Sequence, residues 1–340
     1  MTAPDINRVL VTGGAGYVGA VLTPRLLAEG YRVRVLDLYL FGEQVFNGVA
    51  AHPRLEQIKG DIRDVEMVRE AVRGCDAVIH LACISNDPSF ELNPALGRAI
   101  NFDAFEPLVR LSQHAGVKRF IYASSSSVYG VSDAADVTED HPLRPMTDYS
   151  RFKALCEPIL LGEQSADFTT VVIRPATVCG WSPRQRLDLT VNILTNHAVN
   201  LRKISVFGGS QMRPNIHIND MADLYVRLLE LPSEAIAGKI YNVGYHNHTV
   251  ADIAERVRDQ VAKRLPAPAP IEVVRTPTDD LRSYHISSER IEAELGFVAR
   301  RSIEDAVADL VDAFKANMLP SSLTDRRYYN IKTMQHLRLA

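Results

Sequence analysis

Cysteine is scarce. Cys75, Cys83, Cys156 and Cys179 are the only four in 340 residues, and neither a CxxC pair nor a zinc-ligand spacing joins any of them. That excludes a disulfide scaffold and leaves reduced, buried thiols in a cytoplasmic protein as the expectation. HxxH, HExxH and carboxylate clusters of convincing ligand spacing are also missing, so no metal site is expected. No apolar run approaches the ~18 residues needed to cross a bilayer, and a membrane is not an expected partner. The start, Met1-Thr2-Ala3-Pro4-Asp5, is polar and leads at once into a short apolar strand, so no secretory signal is expected. Basic charge shows no excess: the net charge is −3, and nucleic acid is not an expected partner. There is no internal repeat. What remains is an ordinary globular composition, 46% hydrophobic and 23% charged, long enough for one large or two modest domains.

The organisation begins with a strand, a glycine turn and a helix. Residues 8–12 read as a buried strand, Gly13-Gly14-Ala15-Gly16-Tyr17-Val18-Gly19 as the turn, and the residues to about Glu29 as the helix. With Gly13, Gly16 and Gly19 three apart, backbone N–H groups can approach a pyrophosphate at the helix N-terminus. Glycines also make ordinary tight turns, but here the flanking strand and helix supply the context the motif requires. Pro24 falls inside the helix and is expected to bend it or cost stability. A second strand, 32–36, ends in Asp37, eighteen residues after Gly19. A carboxylate there grips adenosine ribose hydroxyls and repels a 2′-phosphate, so NAD is preferred to NADP. The plain alternative for Asp37 is a strand-end turn residue.

Further along, residues 54–60 read as a third strand leading into Gly60-Asp61-Ile62, where Asp61 can face an adenine amino group and Ile62 can pack on the ring. Asp64 is a ready N-cap for a helix over 65–72. Residues 77–81 form a fourth, nearly all-apolar strand, as buried parallel strands do. It ends in Leu81-Ala82-Cys83, small enough for a ligand to approach. Residues 84–96 read as a polar, Pro-containing substrate loop, followed by a long amphipathic helix to about Ala115 that carries Asn101. A fifth strand, 118–123, runs into Ser124-Ser125-Ser126-Ser127, hydroxyls that must be hydrogen-bonded or wet. Strand and helix alternate as far as a sixth strand at 169–174, which argues for a parallel sheet covered on both faces. Beyond it the pattern loosens into strands near 204–207, 214–218, 239–243 and 271–275 and helices near 219–230, 249–264, 287–295 and 302–316. Residues 321–340 read as an extension over the surface that docks on a neighbour or frays.

Between the fifth and sixth strands lies Tyr149-Ser150-Arg151-Phe152-Lys153. Four residues apart on a helix, the tyrosine and lysine share a face. An ammonium beside a phenol lowers the phenol pKa from its reference near ~10. Such a phenol can take a proton from a hydroxyl while a hydride leaves the same carbon. Alone, the pair is equally a core aromatic beside a solvated lysine.

Taken together, the motifs resemble the extended short-chain dehydrogenase/reductase family of nucleotide-sugar epimerases, dehydratases and reductases. The resemblance spans roughly residues 8–315 and rests on Thr12–Gly19, Gly60-Asp61-Ile62, His80-Leu81-Ala82, Ser124–Gly130, Tyr149–Lys153, Arg174-Pro175 and Arg213–Ile218, in that order. It implies a Rossmann-type, doubly wound α/β fold with a smaller α+β substrate domain. Residues 1–177 and 214–244 would bind NAD, 178–213 and 245–320 would form the substrate domain, and 321–340 the extension. By the same resemblance, Tyr149 is the acid–base group, Lys153 holds the nicotinamide ribose, and Ser125 hydrogen-bonds the reacting sugar oxygen, with Ser124 or Ser126 as its one-residue alternatives. Gly13, Gly16, Tyr17, Val18, Asp37, Asp61, Ile62, Leu81, Ala82 and Asn101 would bind the cofactor. Ser126, Thr177, Arg184, Arg213 and Arg282 would bind the nucleotide-diphosphate sugar, with surface salt bridges as the alternative for Arg213 and Arg282.

Several positions depart from the family pattern. The Asp-Glu pair that drives water elimination in the 4,6-dehydratases is replaced by Ser126 and Ser127, and a hydroxyl is a poor general acid near neutral pH. The usual sugar-nucleotide Asn after the Arg-Pro strand is absent from Ala176-Thr177-Val178-Cys179-Gly180, where Cys179 is either near the sugar or a packed thiol. Ser182-Pro183-Arg184-Gln185-Arg186-Leu187-Asp188-Leu189 resembles a run from a bacterial subgroup that includes C4 dehydrogenases of GDP-linked heptoses. The expectation is therefore a 4-epimerase working through a 4-keto intermediate, or else a C4 dehydrogenase or reductase. A nonenzymatic NAD sensor would not need both Tyr149 and Lys153. The resemblance also implies a homodimer, paired through the helices at 92–115 and 147–164.

Overall fold

The computed structural model describes residues 5–85, 87–132, 134, 136–278, 283 and 285–339. Its strands are β1 (Arg8–Thr12), β2 (Arg32–Asp37), β3 (Leu55–Lys59), β4 (Ala77–His80), β5 (Arg119–Ala123), β6 (Thr169–Pro175), β7 (Thr177–Cys179), β8 (Lys203–Phe207), β9 (Met212–His217), β10 (Lys239–Val243), β11 (His246–Thr249) and β12 (Glu272–Thr276). Among the described residues seven of them form one sheet, ordered β10-β6-β5-β4-β1-β2-β3, with every pairing parallel. Strand order reverses between β1 and β4, which opens a crevice at the carboxyl edge where ligands of such sheets bind.

The sheet is parallel because β1, β3, β4 and β5 are each followed by a helix that crosses over before the next strand of the sheet. Its central strands are apolar on both faces, and Ala77–His80 is buried at every position. One hydrophobic cluster, including Val9, Val11, Leu22, Leu224 and Tyr225, fills one face; another, including Leu10, Val78, Phe105, Phe120 and Cys156, fills the other. The helix Gly19–Ala28 follows the glycine turn and contains Pro24 without ending there. A third cluster joins the helices Thr190–Leu201, Val250–Arg264 and Ile303–Lys315 to β8. Beside it stand the small sheet β11-β9-β7 and the parallel pair β12-β8.

Four sequence expectations need correction. The 84–96 segment is not a plain loop: Asp87–Glu91 and Pro94–Arg98 are short helices. The long helix expected after it is broken by a π-helical turn at Ala99–Asp103 before resuming as Phe105–His114. Thr190–Leu201 is a helix that sequence reading passed over, because its β-branched and Asn residues have weak helix propensity. Burial of Val191, Leu194 and Ala198 stabilises it instead. The C-terminal residues do not fray: Arg326–Tyr328 and Asn330–His336 are helical, and Tyr328 and Met334 are buried against the chain's own core.

Candidate active site

A cavity of about 330 Å³ runs along the carboxyl ends of β1, β2, β4, β5 and β6. At one end it meets Gly13, Gly16, Tyr17, Val18 and Asp37; at the other, Ser125, Ser126, Tyr149 and Lys153. Asp61 and Ile62 from the turn after β3, and Leu81 and Ala82 from the turn after β4, line it as well. The glycine turn is tight because it must be. Gly13 has φ +72°, and a Cβ there would stand 2.6 Å from the Ala82 nitrogen. Asp37 accepts hydrogen bonds from the Ala15 N–H at 3.0 Å and the Tyr39 N–H at 2.7 Å. Burial pushes its carboxyl up, offset by those two N–H groups and by Arg184.

At the other end, the helix Asp148–Gly162 starts on a capping box between Thr147 and Ser150, so Tyr149 lies in its first turn and Lys153 one turn later. The Lys153 ammonium donates to the Ala123 carbonyl at 2.7 Å and lies 5.0 Å from the Tyr122 ring centroid. The net shift of the Tyr149 phenol is upward, opposite to the one expected. Burial, with Cys83 and Asp87 nearby, pushes that phenol well up, and the groups pulling it down are Arg186 and a hydrogen bond with Ser125. The serine run separates by contact. Ser124 donates to Glu157 at 2.6 Å, and Glu157 is paired with Arg174 at 2.6 Å in the interior. Ser125, instead, caps the turn Ser126–Tyr129 and meets Tyr149.

The other expected residues divide between wall and scaffold. Asn101 spends its amide on Ile84, accepting from the N–H at 2.8 Å and donating to the carbonyl at 3.0 Å. It acts by holding the strand-end loop in place. The Asp61 carboxylate accepts from Arg63 at 2.5 Å, which holds it below the usual carboxylate range. Tyr17 donates to the Gly180 carbonyl at 2.6 Å and so ties the glycine turn to the segment after β7. Thr177 lines the main cavity and an adjoining one of about 210 Å³, which Arg213 also lines. Arg282 lies outside the described residues. Cys179 is a packed thiol, its Sγ 3.5 Å from the Ile216 carbonyl. Sequence reasoning missed Asp87, which accepts from Thr147 at 2.5 Å beside Tyr149, and Asn330. The polar loop after β4 was a signal for the first; no motif pointed to the second.

A family model described as "NAD dependent epimerase/dehydratase family" matches residues 9–244. The chain belongs to that family. It is thus an NAD-dependent enzyme, and the glycine turn, Asp37 and the Leu81-Ala82 wall fit that cofactor. A UDP-glucose 4-epimerase from Bacillus subtilis is 28% identical over 331 residues, 88% of this chain and 95% of the relative. A dTDP-glucose 4,6-dehydratase from Streptomyces niveus is 26% identical over 331 residues, 91% of this chain and 93% of the relative. Among solved structures, the dTDP-glucose 4,6-dehydratase DesIV from Streptomyces venezuelae, with NAD bound, superposes with a TM-score of 0.80 at 25% identity, covering 91% of this chain and 97% of that one. The family therefore spans both epimerases and dehydratases at similar distance.

Proposed function

We propose that this enzyme is a nucleotide-sugar epimerase acting at C4 through a 4-keto intermediate. The observation that carries this reading is the meeting of Ser125 and Tyr149 at the opposite end of one cavity from Asp37 and the glycine turn. NAD, when bound, supplies the site that takes up a hydride and gives it back. Tyr149 takes the proton from the sugar hydroxyl and later returns it, and Ser125 holds the same oxygen. Lys153, anchored on the Ala123 carbonyl, is set to hold the nicotinamide ribose. Arg213, in the adjoining cavity, and Arg282 are assigned to the substrate diphosphate, whose charge suits arginine forks. Thr177 and Ser126, which line the cavity, are assigned to the sugar.

Epimerisation is favoured over dehydration because Ser126 and Ser127 stand where water elimination would need an acid. A C4 dehydrogenase or reductase uses the same Ser-Tyr-Lys set and is the second reading, favoured by the Ser182–Leu189 run. The deciding experiment incubates the purified enzyme with UDP- and dTDP-hexoses and follows both sugar and cofactor. Interconversion of C4 epimers with no net change in NAD is expected. Stoichiometric NADH with a keto-sugar would move the enzyme to the second reading. Tyr149→Phe should lower turnover about 100-fold or more, the low end of general acid–base contributions, while NAD stays bound. Activity surviving that change would rule out the mechanism.

A further inference from the structure

The segment after β7 is fastened to the glycine turn. Tyr17 donates to the Gly180 carbonyl at 2.6 Å, and Ser182 Oγ donates to the Tyr17 carbonyl at 2.7 Å. The position of Arg184 and Arg186 relative to the N-terminus of the helix Gly19–Ala28 is therefore set by the fold. Both arginines line the main cavity, and both are buried, at 4% and 7% exposure.

The Arg184 guanidinium lies over the Phe41 ring, 3.5 Å from its centroid, and donates through Nη2 to the Asn330 side chain at 2.5 Å. Its Nε and Nη1 make no hydrogen bond among the described residues, and neither does Nη2 of Arg186. Arg186 otherwise donates to Asp188 at 2.9 Å and to Ser85 at 3.1 Å. Burial pushes the Arg184 guanidinium down to about 9. A charge held in the interior with unsatisfied N–H groups is costly unless an anion completes it.

We propose that Arg184, seconded by Arg186, binds the diphosphate of the dinucleotide cofactor from the side opposite the glycine turn, and that Asn330 of the C-terminal segment positions it there. The inference rests on NAD binding and not on the sugar chemistry proposed above. A diphosphate could also come from the sugar nucleotide. The neighbours of Arg184 decide between the two sources: Tyr17, Asp37 and Phe41 belong to the first strand–turn–helix and the end of β2, the cofactor end of the cavity. Arg213 lines the adjoining space beyond Thr177 and Leu189.

The C-terminal segment enters through one residue. Asn330 is 3% exposed and accepts from Arg184. Its amide nitrogen donates to Ser85 Oγ at 3.0 Å, and its backbone N–H donates to Asp188 at 3.0 Å. The Leu187 N–H donates to the Tyr328 carbonyl at 2.9 Å, fixing the same segment from its other side. Residues read from sequence as a surface extension thus become part of the cofactor site.

The test is calorimetric titration of nucleotide-free full-length enzyme with NAD⁺, ADP-ribose, adenosine, UDP and dTDP. Arg184→Met should weaken NAD⁺ and ADP-ribose by about 10- to 100-fold, the range for hydrogen bonds to a charged group. Adenosine, UDP and dTDP should change by less than about threefold, well under one such bond. Asn330→Ala should give the same pattern at smaller amplitude. Arg184→Met should also unfold no earlier than the wild type without ligand, yet gain less from added NAD⁺. Unchanged NAD⁺ affinity, or a loss confined to UDP or dTDP, overturns the proposal. So does failure of both Arg184→Met and Arg184→Lys to fold, which would make the guanidinium structural. Absence of C4 epimerisation by the wild-type enzyme, with these affinities as expected, would count against the proposed function alone.

Discussion

Ser124, Ser125 and Ser126 are one position apart in sequence and separated in chemistry by what they touch. Ser124 is spent on a buried carboxylate, Ser126 lines the cavity, and Ser125 meets the phenol of Tyr149. The family resemblance located the expected hydroxyl only to within one residue, because spacing says nothing about which way a side chain turns at a strand end. His80 shows the reverse case. Its Nδ1 lies 2.7 Å from Thr12 Oγ1, and its ring packs against Phe105 and Tyr122. Burial, reinforced by the Lys153 ammonium, pushes its pKa from 6.5 down to about 3. Between those two values the unfolded chain binds a proton that the folded chain does not, so stability falls as pH falls. From pH 7 to about 5 this residue should cost about 2 kcal/mol, by linkage from an unfolded pKa near ~6.5. Urea unfolding at the two pH values should show that loss in the wild type and a smaller one in His80→Phe. Equal slopes would mean that His80 is protonated in the folded state.

At the scale of elements, the helix Asp148–Gly162 does more than carry Tyr149 and Lys153. Glu157 continues the same stripe one turn on, where it accepts from Arg174 at 2.6 and 3.0 Å and from Ser124 at 2.6 Å. Arg174 in turn donates to Tyr129 at 2.7 Å, and Tyr129 donates to Asn242 of β10 at 2.6 Å. One buried chain of polar contacts therefore joins the helix to β6 and β10 beneath the reacting end of the cavity. Glu157→Gln leaves the Arg174 guanidinium in the interior without its counter-charge and should destabilise the fold by about 3–5 kcal/mol. The double change Glu157→Leu with Arg174→Met should recover much of that loss, since it removes both charges. Denaturant unfolding of the wild type and the two variants measures both effects; a double variant no better than Glu157→Gln would refute the pairing argument. The YxxxK spacing was legible in sequence because it is local. The Glu157–Arg174 pair was not, because its two members come from separate elements.

On the scale of the whole molecule, the helices Phe105–His114 and Asp148–Gly162 lie beside one another on the same side of the sheet. Leu155, on the second of them, is 43% exposed. We propose this pair as the surface of a homodimer. Light scattering should give twice the monomer mass, and Leu155→Glu should shift it toward the monomer without loss of the fold. A wild-type monomer at micromolar concentration would exclude the arrangement. Among the described residues no helix is long and apolar enough to cross a membrane.

By itself the sequence determined the alternating strand and helix pattern, the glycine turn, Asp37 at the end of the second strand and the Tyr149–Lys153 pair. Each of these is written in neighbouring residues or in a period that one element obeys. Only the tertiary structure decided that burial raises the Tyr149 phenol, with Arg186 among the groups that offset it, and that the Asn101 amide is spent on the Ile84 backbone. It alone brought Asn330 to Arg184 across 146 positions of sequence. Burial and long-range charge depend on what the chain folds against, and no local pattern carries that information.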